Sequence, residues 1–103
     1  MEKRRLTDQE IVCFQNDLKE DEKAPQTIQK YVREASALIL FLGGSTPSKS
    51  RILDYRDYLQ RQNKTHTVNV KLSAVNAFLE YTGHCDCKVR LLKVQRKAFI
   101  DDD

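Results

Sequence analysis

The stretch His84–Cys87 holds the densest group of side chains that could bind a metal. Its sequence, His-Cys-Asp-Cys, supplies three nitrogen or sulfur ligands of the kind zinc prefers, and Cys13 or His66 could supply a fourth. Structural zinc sites normally use two separated pairs of ligands, and this stretch has no second pair. The sequence therefore favours two partly exposed loop thiols, Cys85 and Cys87, over a metal site. We predict no metal and no other cofactor.

Enzymatic chemistry has little support in the sequence. The chain has only 2 histidines, and no Ser/His/Asp or Cys/His arrangement can be assembled from them. There is no Gly-rich phosphate loop, since Gly43–Gly44 is better explained as the end of a helix. The carboxylates cluster in one acidic segment, which is typical of a solvated helix face. No catalytic residue is predicted.

A second group of polar side chains lies on one predicted helix, Thr65–Tyr81. Its apolar residues recur with the 3.6-residue period of a helix. One apolar stripe holds Val68, Leu72, Val75 and Leu79, and a second holds Val70, Ala74, Ala77 and Tyr81. The remaining, nearly uncharged face carries His66, Asn69, Lys71, Ser73 and Asn76. Short hydrogen-bonding side chains beside a lysine suit an anionic partner such as a nucleic-acid groove, although a solvated face that is short of charge explains them equally well.

Charge is distributed unevenly along a chain that is long enough for one small domain. The 103 residues carry a net charge of +3. Residues 7–22 hold six acids against one lysine, whereas residues 84–100 hold five bases against one acid. Such an asymmetry lets one side of a domain face phosphates while another faces water.

The odd number of cysteines (3), the lack of a signal peptide and the lack of a long apolar run predict a reduced, cytoplasmic protein without a membrane segment.

The first two predicted helices have clear start and stop signals. Thr7 and Glu10 form a capping box for the first helix, and we expect Cys13 to be a small core residue beside its apolar stripe. Pro25 suits the first turn of the second helix, which is the most apolar one and ends at Gly43–Gly44.

Two further helices and a short final element complete the predicted fold. Thr46-Pro47 is expected to cap and open a third helix, which ends near Asn63. Thr65 is expected to cap the fourth helix, which stops at Gly83. The residues after Gly83 predict an extended connector or a short fifth element. The fold class is therefore all-α, a small bundle of four or five helices.

Two of these helices carry a family resemblance. The segments Gln26–Glu34 (QTIQKYVRE), Phe41-Leu42 and Thr67–Tyr81 (TVNVKLSAVNAFLEY) resemble the N-terminal SAM-like, core-binding domain of tyrosine recombinases, the phage-type integrases. That domain has a Thr-aliphatic-x-x-Tyr helix and a later helix with Leu-Ser-Ala near its middle. Arg56–Leu59 (RDYL) fits the spacer helix between them, and Lys93–Lys97 (KVQRK) looks like the connector to the family's catalytic domain.

The resemblance implies a function in DNA integration and recombination. In the family, the small bundle clamps one face of a DNA duplex through its second and fourth helices, and a separate catalytic domain clamps the other face. The matching positions become DNA-contact candidates. They are Thr27, Lys30 and Arg33 on the second helix, and Thr65, Thr67, Asn69, Lys71, Ser73 and Asn76 on the fourth. The family's catalytic domain attaches a tyrosine to a DNA 3′-phosphate, but no His-x-x-Arg occurs here, so we expect a non-catalytic fragment of such an enzyme.

The expected organisation has three parts. Residues 1–6 form a flexible tail, residues 7–83 the helical DNA-binding domain, and residues 84–103 a basic connector toward a catalytic domain that this sequence does not contain. The partners implied are double-stranded DNA and other recombinase protomers, with the isolated domain a monomer. Two alternatives stay open: a helical protein-interaction module without DNA affinity of its own, and a small metal-binding regulator built on His84–Cys87.

Overall fold

Four α-helices follow one another in the computed structural model, which describes residues 6–93. They are α1 (Asp8–Glu20), α2 (Pro25–Leu42), α3 (Lys49–Gln62) and α4 (Thr65–Tyr81). A short 3₁₀ helix, Cys85–Cys87, follows α4. No β-strand occurs among these residues, so the all-α prediction is confirmed.

The predicted boundaries of α1 and α2 agree with the structure. The capping box forms at the start of α1, where the Thr7 backbone N–H donates to the Glu10 carboxylate at 3.3 Å. Pro25 opens α2, where its missing N–H needs no partner. Gly43 ends α2 in the left-handed conformation at φ 58°, which glycine adopts without steric cost.

The predicted caps of α3 and α4 are wrong by one or two residues. Ser48, not Thr46, caps α3, because its hydroxyl accepts the Arg51 backbone N–H at 3.2 Å. Thr65 is the first helical residue of α4, with Lys64 at the cap position and no side-chain bond there. Helix ends fray, and their assigned position commonly varies by one or two residues.

The core forms where α2 and α4 pack together, since these two helices share the most extensive contact. Phe14 of α1 packs on Phe78 of α4, with ring centroids 5.1 Å apart, and Phe78 is fully buried. The second stripe predicted for α4 did not include Phe78, and its Tyr81 is 41% exposed, with its ring packed on Phe14 at a centroid distance of 5.5 Å. Cys13 is also exposed, so the prediction that it is a core residue is wrong.

The residues after α4 extend the core. Gly83 has φ 84° and turns the chain back, and His84, Cys87 and Val89 are buried against the bundle. The fifth element of the prediction is thus the 3₁₀ helix. The predicted division of the chain at residues 6 and 83 stays a prediction, and residues 1–5 and 94–103 lie outside the described part.

Tyr55 of α3 gives the fold a measurable pH dependence. Its ring packs against Phe41 with centroids 5.0 Å apart, and burial raises its pKa to about 12, with the Glu34 carboxylate adding to the shift. The protonated phenol is favoured in the folded state, so its stabilising contribution is complete below the ordinary pKa of about 10 and is lost as pH rises toward 12. We expect the free energy of unfolding of the wild-type domain to fall between about pH 10 and 12. In Tyr55→Phe the decrease should be smaller than in the wild type by about 1–2 kcal/mol. Denaturant titrations across the window would measure both, and parallel pH curves would contradict the assignment.

Candidate nucleic-acid interface

Most of the charged side chains of α2 and α4 line a groove between these two helices. Its volume is about 280 Å³. Its lining residues are Lys30, Arg33, Glu34, His66, Thr67, Val70 and Lys71. We call it the α2–α4 groove. Three bases and one acid line it, which gives a formal charge of +2 before His66 is counted.

The spacing of these residues along each helix explains why they meet. Lys30, Arg33 and Glu34 stand three and four residues apart on α2, and Thr67 and Lys71 stand four apart on α4. Residues at these intervals share one side of a helix. The contact between α2 and α4 then brings the two rows together.

Glu34 forms the floor of the groove. Its side chain is only 5% exposed, and its Oε2 lies 3.1 Å from Lys71 Nζ and 3.9 Å from Arg33 Nε. The Lys71 side chain is 28% exposed, whereas Arg33 is 68% exposed. The groove therefore has two exposed cations at its edge, Lys30 and Arg33, and one cation paired with a buried carboxylate.

Sequence reasoning did not single out Glu34 as a site residue. The available signal was its place on α2, three residues after Tyr31 and four before Leu38, within the width of the apolar stripe. An acid at such a position must be paired if it is buried.

The two asparagines of α4 contact another part of the chain. Asn76 Oδ1 accepts the Val89 N–H at 3.0 Å, and Asn76 Nδ2 donates to the Val89 carbonyl at 2.8 Å. Asn69 makes the same pair of bonds with Leu92, at 2.7 and 2.9 Å. Asn69 and Lys71 are two residues apart, about 200° around the helix, so the asparagines lie on the side of α4 away from the groove.

The spacing of the two asparagines along α4 matches the spacing of the two residues that they bind. Asn69 and Asn76 lie about 10.5 Å apart along the helix, and Val89 and Leu92 lie about 10 Å apart along an extended chain. Residues 88–92 therefore run antiparallel to α4. Two bases of α3 complete the attachment: Lys49 donates to the Lys88 carbonyl, and Arg56 donates to the Arg90 carbonyl at 2.9 Å. We call residues 88–92 the clasped segment.

Comparison with known proteins identifies the family of this chain. Residues 11–84 match the family described as phage integrase, N-terminal SAM-like domain. The chain belongs to this family. The match confirms the resemblance, and it ends just before the 3₁₀ helix and the clasped segment. No curated protein and no solved structure is significantly similar to the chain.

The SAM-like domain brings some of the predicted contact residues together and separates others. Lys30, Arg33, Thr67 and Lys71 line the α2–α4 groove. The other predicted contacts lie outside the groove lining; they are Thr27, Thr65, Asn69, Ser73 and Asn76. The Ser73 hydroxyl donates to the Asn69 carbonyl of its own helix at 3.0 Å. The role of all nine residues in DNA contact stays a prediction.

The His84–Cys87 stretch contributes to packing. His84 and Cys87 are buried, and His84 Nδ1 lies 3.0 Å from the Thr82 hydroxyl. Cys85 is exposed, so the prediction of two partly exposed thiols is wrong for Cys87. Within residues 6–93, no cluster of three or more His, Cys, Asp or Glu side chains has the arrangement of a metal site. None of the helices in that same range is long and apolar enough to span a membrane.

Proposed function

We propose that this domain binds duplex DNA through the α2–α4 groove as the core-binding module of a tyrosine recombinase. The observation that carries the proposal is the meeting of Lys30, Arg33 and Thr67 in one groove of net positive charge, on a chain of the phage integrase family. Exposed lysine and arginine side chains bind backbone phosphates, and a threonine hydroxyl can donate to a phosphate oxygen.

The proposed contacts position the protein and do not cut DNA. Phosphate contacts fix register and orientation but carry little sequence information, so we expect binding that tolerates many sequences, with a dissociation constant on the order of 10⁻⁴–10⁻⁶ M. In the parent enzyme, cleavage and rejoining would belong to a separate catalytic domain on the opposite face of the duplex. This domain would hold the enzyme on its site during integration or recombination.

The test is a titration of the domain with duplex DNA at about 50 and 200 mM salt, read out by amide NMR shifts. Each phosphate contact lowers the logarithm of the binding constant by about 0.9 per tenfold increase in salt, which is about 3.5-fold between these two concentrations. We expect Lys30→Ala and Arg33→Ala each to weaken binding to every duplex sequence, and the double variant to flatten the salt slope by about 1.8.

Arg61→Ala is the matched control, because Arg61 is exposed on α3 and does not line the groove. It removes one charge and should change the slope little. A loss of affinity in Arg61→Ala as large as in Lys30→Ala would show that only total charge matters. NMR shifts confined to residues far from 26–37 and 65–76 would contradict the groove.

One observation favours a second surface for protein contacts. Leu40 on α2 is 82% exposed and lies beside a depression of about 330 Å³ that Ala37, Phe41, Tyr55 and Tyr58 also line. Exposed apolar side chains next to aromatic rings are typical of protein–protein contacts. Contact with other recombinase protomers on DNA would use such a surface, and the isolated domain would be a monomer. No shift at Lys30 in the DNA titration, together with shifts at Leu40 when the concentration of the domain alone is raised, would favour this alternative.

A further inference from the structure

The buried carboxylate of Glu34 lies directly beneath the basic groove. We propose that Glu34 restrains the ammonium group of Lys71 and thereby lowers the affinity of the groove for backbone phosphate, an inference that rests on the proposed DNA-binding function. Glu34 would be a positioning residue: it would touch no DNA and act through Lys71.

Burial makes the pairing of Glu34 obligatory. Its side chain is 5% exposed, so water cannot solvate the charge, and a buried carboxylate needs a close cation. Lys71 Nζ is at hydrogen-bond distance, 3.1 Å, whereas Arg33 Nε is at 3.9 Å on a side chain that is mostly in solvent. Lys71 is therefore the principal partner of Glu34.

The pairing divides the groove cations into two kinds. Lys30 and Arg33 are exposed at its edge and can move to meet a phosphate. Lys71 can contact a phosphate only if its ammonium group leaves the Glu34 carboxylate or binds the carboxylate and the phosphate at the same time. The number of phosphates that the groove neutralises is thus set by Glu34 as well as by the bases. The groove therefore has a lower affinity for DNA of any sequence than it would have if all three bases were available to phosphates.

Glu34→Gln is the decisive variant, since it keeps the size of the side chain and a hydrogen-bond acceptor while removing the charge. It should free Lys71 to act as one additional phosphate contact. We expect the salt slope to steepen by about 0.9, and binding to tighten by up to about fifteenfold at 50 mM salt and about fourfold at 200 mM. An unchanged or shallower slope, with wild-type binding intact, would overturn the inference.

Two controls separate the role of Lys71 from a general change in charge. Glu80→Gln removes an acid from an exposed ion pair with Lys88 (2.9 Å) outside the groove, and it should leave the slope nearly unchanged. Glu34→Gln combined with Lys71→Gln should return the slope to the wild-type value. A double variant that keeps the tighter binding would overturn the inference, because the gain would then not pass through Lys71.

A measurement on the wild-type domain makes the test independent of the folding of any variant. During a DNA titration, the side-chain NMR signals of Lys30 should shift while those of Lys71 stay nearly fixed. Equal shifts of both would overturn the restraint on Lys71 but leave DNA binding by the groove in place. Absence of any DNA binding by the wild-type domain at low salt would overturn the proposed function itself, and this inference with it.

Discussion

Replacing Lys71 by methionine is expected to lower the free energy of unfolding by about 2–4 kcal/mol. Methionine keeps the unbranched shape and most of the length of the side chain but removes the cation 3.1 Å from the buried Glu34 carboxylate. Breaking a buried ion pair from one side typically costs about 3–5 kcal/mol, because the remaining charge is buried without compensation. We place the expected cost somewhat lower, since Lys71 is 28% exposed and Arg33 lies 3.9 Å from the same carboxylate. Denaturant titration followed by circular dichroism would measure it.

A second substitution at Glu34 provides the internal check. Glu34→Gln in the Lys71→Met background removes the stranded charge, so most of the lost stability should return. Lys88→Met is the matched surface variant: its pair with Glu80 is as short, at 2.9 Å, but both side chains are solvent-exposed. Its cost should be much smaller than that of Lys71→Met, because water and salt screen an exposed pair. Equal costs for Lys71→Met and Lys88→Met would show that the Glu34 pair behaves as a surface pair.

Loss of the asparagine contacts is expected to release the clasped segment. Asn76→Ala leaves both the N–H and the carbonyl of the buried Val89 without their partners, which should cost about 2–3 kcal/mol. Asn69→Ala should cost less, about 1–2 kcal/mol, because Leu92 is only half-buried and water can replace part of the contact. The amide hydrogens of Val89 and Leu92 should exchange with solvent faster in the respective variants, whereas those in the centre of α4 should change in step with global stability.

Ser73 lies between the two asparagines on the same side of α4 and supplies the control. Within residues 6–93 its hydroxyl bonds only to the Asn69 carbonyl of the same helix, so Ser73→Ala should change stability by no more than about 0.5 kcal/mol. Exchange at Val89 that stays slow in Asn76→Ala would mean that apolar burial, not the asparagine bonds, holds the segment. If DNA shifts the side-chain amide signals of Asn69 and Asn76 without releasing Val89 and Leu92, these residues contact DNA as the sequence predicts.

The partners of Lys71 and of the asparagines show what the sequence leaves undecided. We predicted Asn69, Lys71 and Asn76 on one polar face of α4, but Asn69 and Lys71 lie about 200° apart around the helix, so helical periodicity alone separates them. In the structure, Lys71 lies over α2 and the asparagines lie against residues 88–92. Helical periodicity fixes the angle between two residues of one helix, but not which neighbour covers each angle. That depends on the packing of segments far apart in the chain.

Glu34 shows the same limit for a single residue. Its place within the apolar stripe of α2 is a local signal, but its pairing depends on Lys71 of α4, which is 37 positions away in the chain. That place alone does not establish burial, because the energy that decides between a buried, paired acid and a solvated one is the desolvation of the folded state.

What the sequence determined by itself is the set of local elements and the family. The apolar period, the capping box at Thr7, Pro25 and the glycines at 43 and 83 specify where helices begin and end, since these signals act over a few residues. The order of the helices also carries the resemblance to integrase SAM-like domains. Only the tertiary structure decided which polar groups share the groove, which hold residues 88–92, and which acid is buried. Those outcomes depend on long-range packing and on the competition between solvation and pairing, which local sequence does not encode.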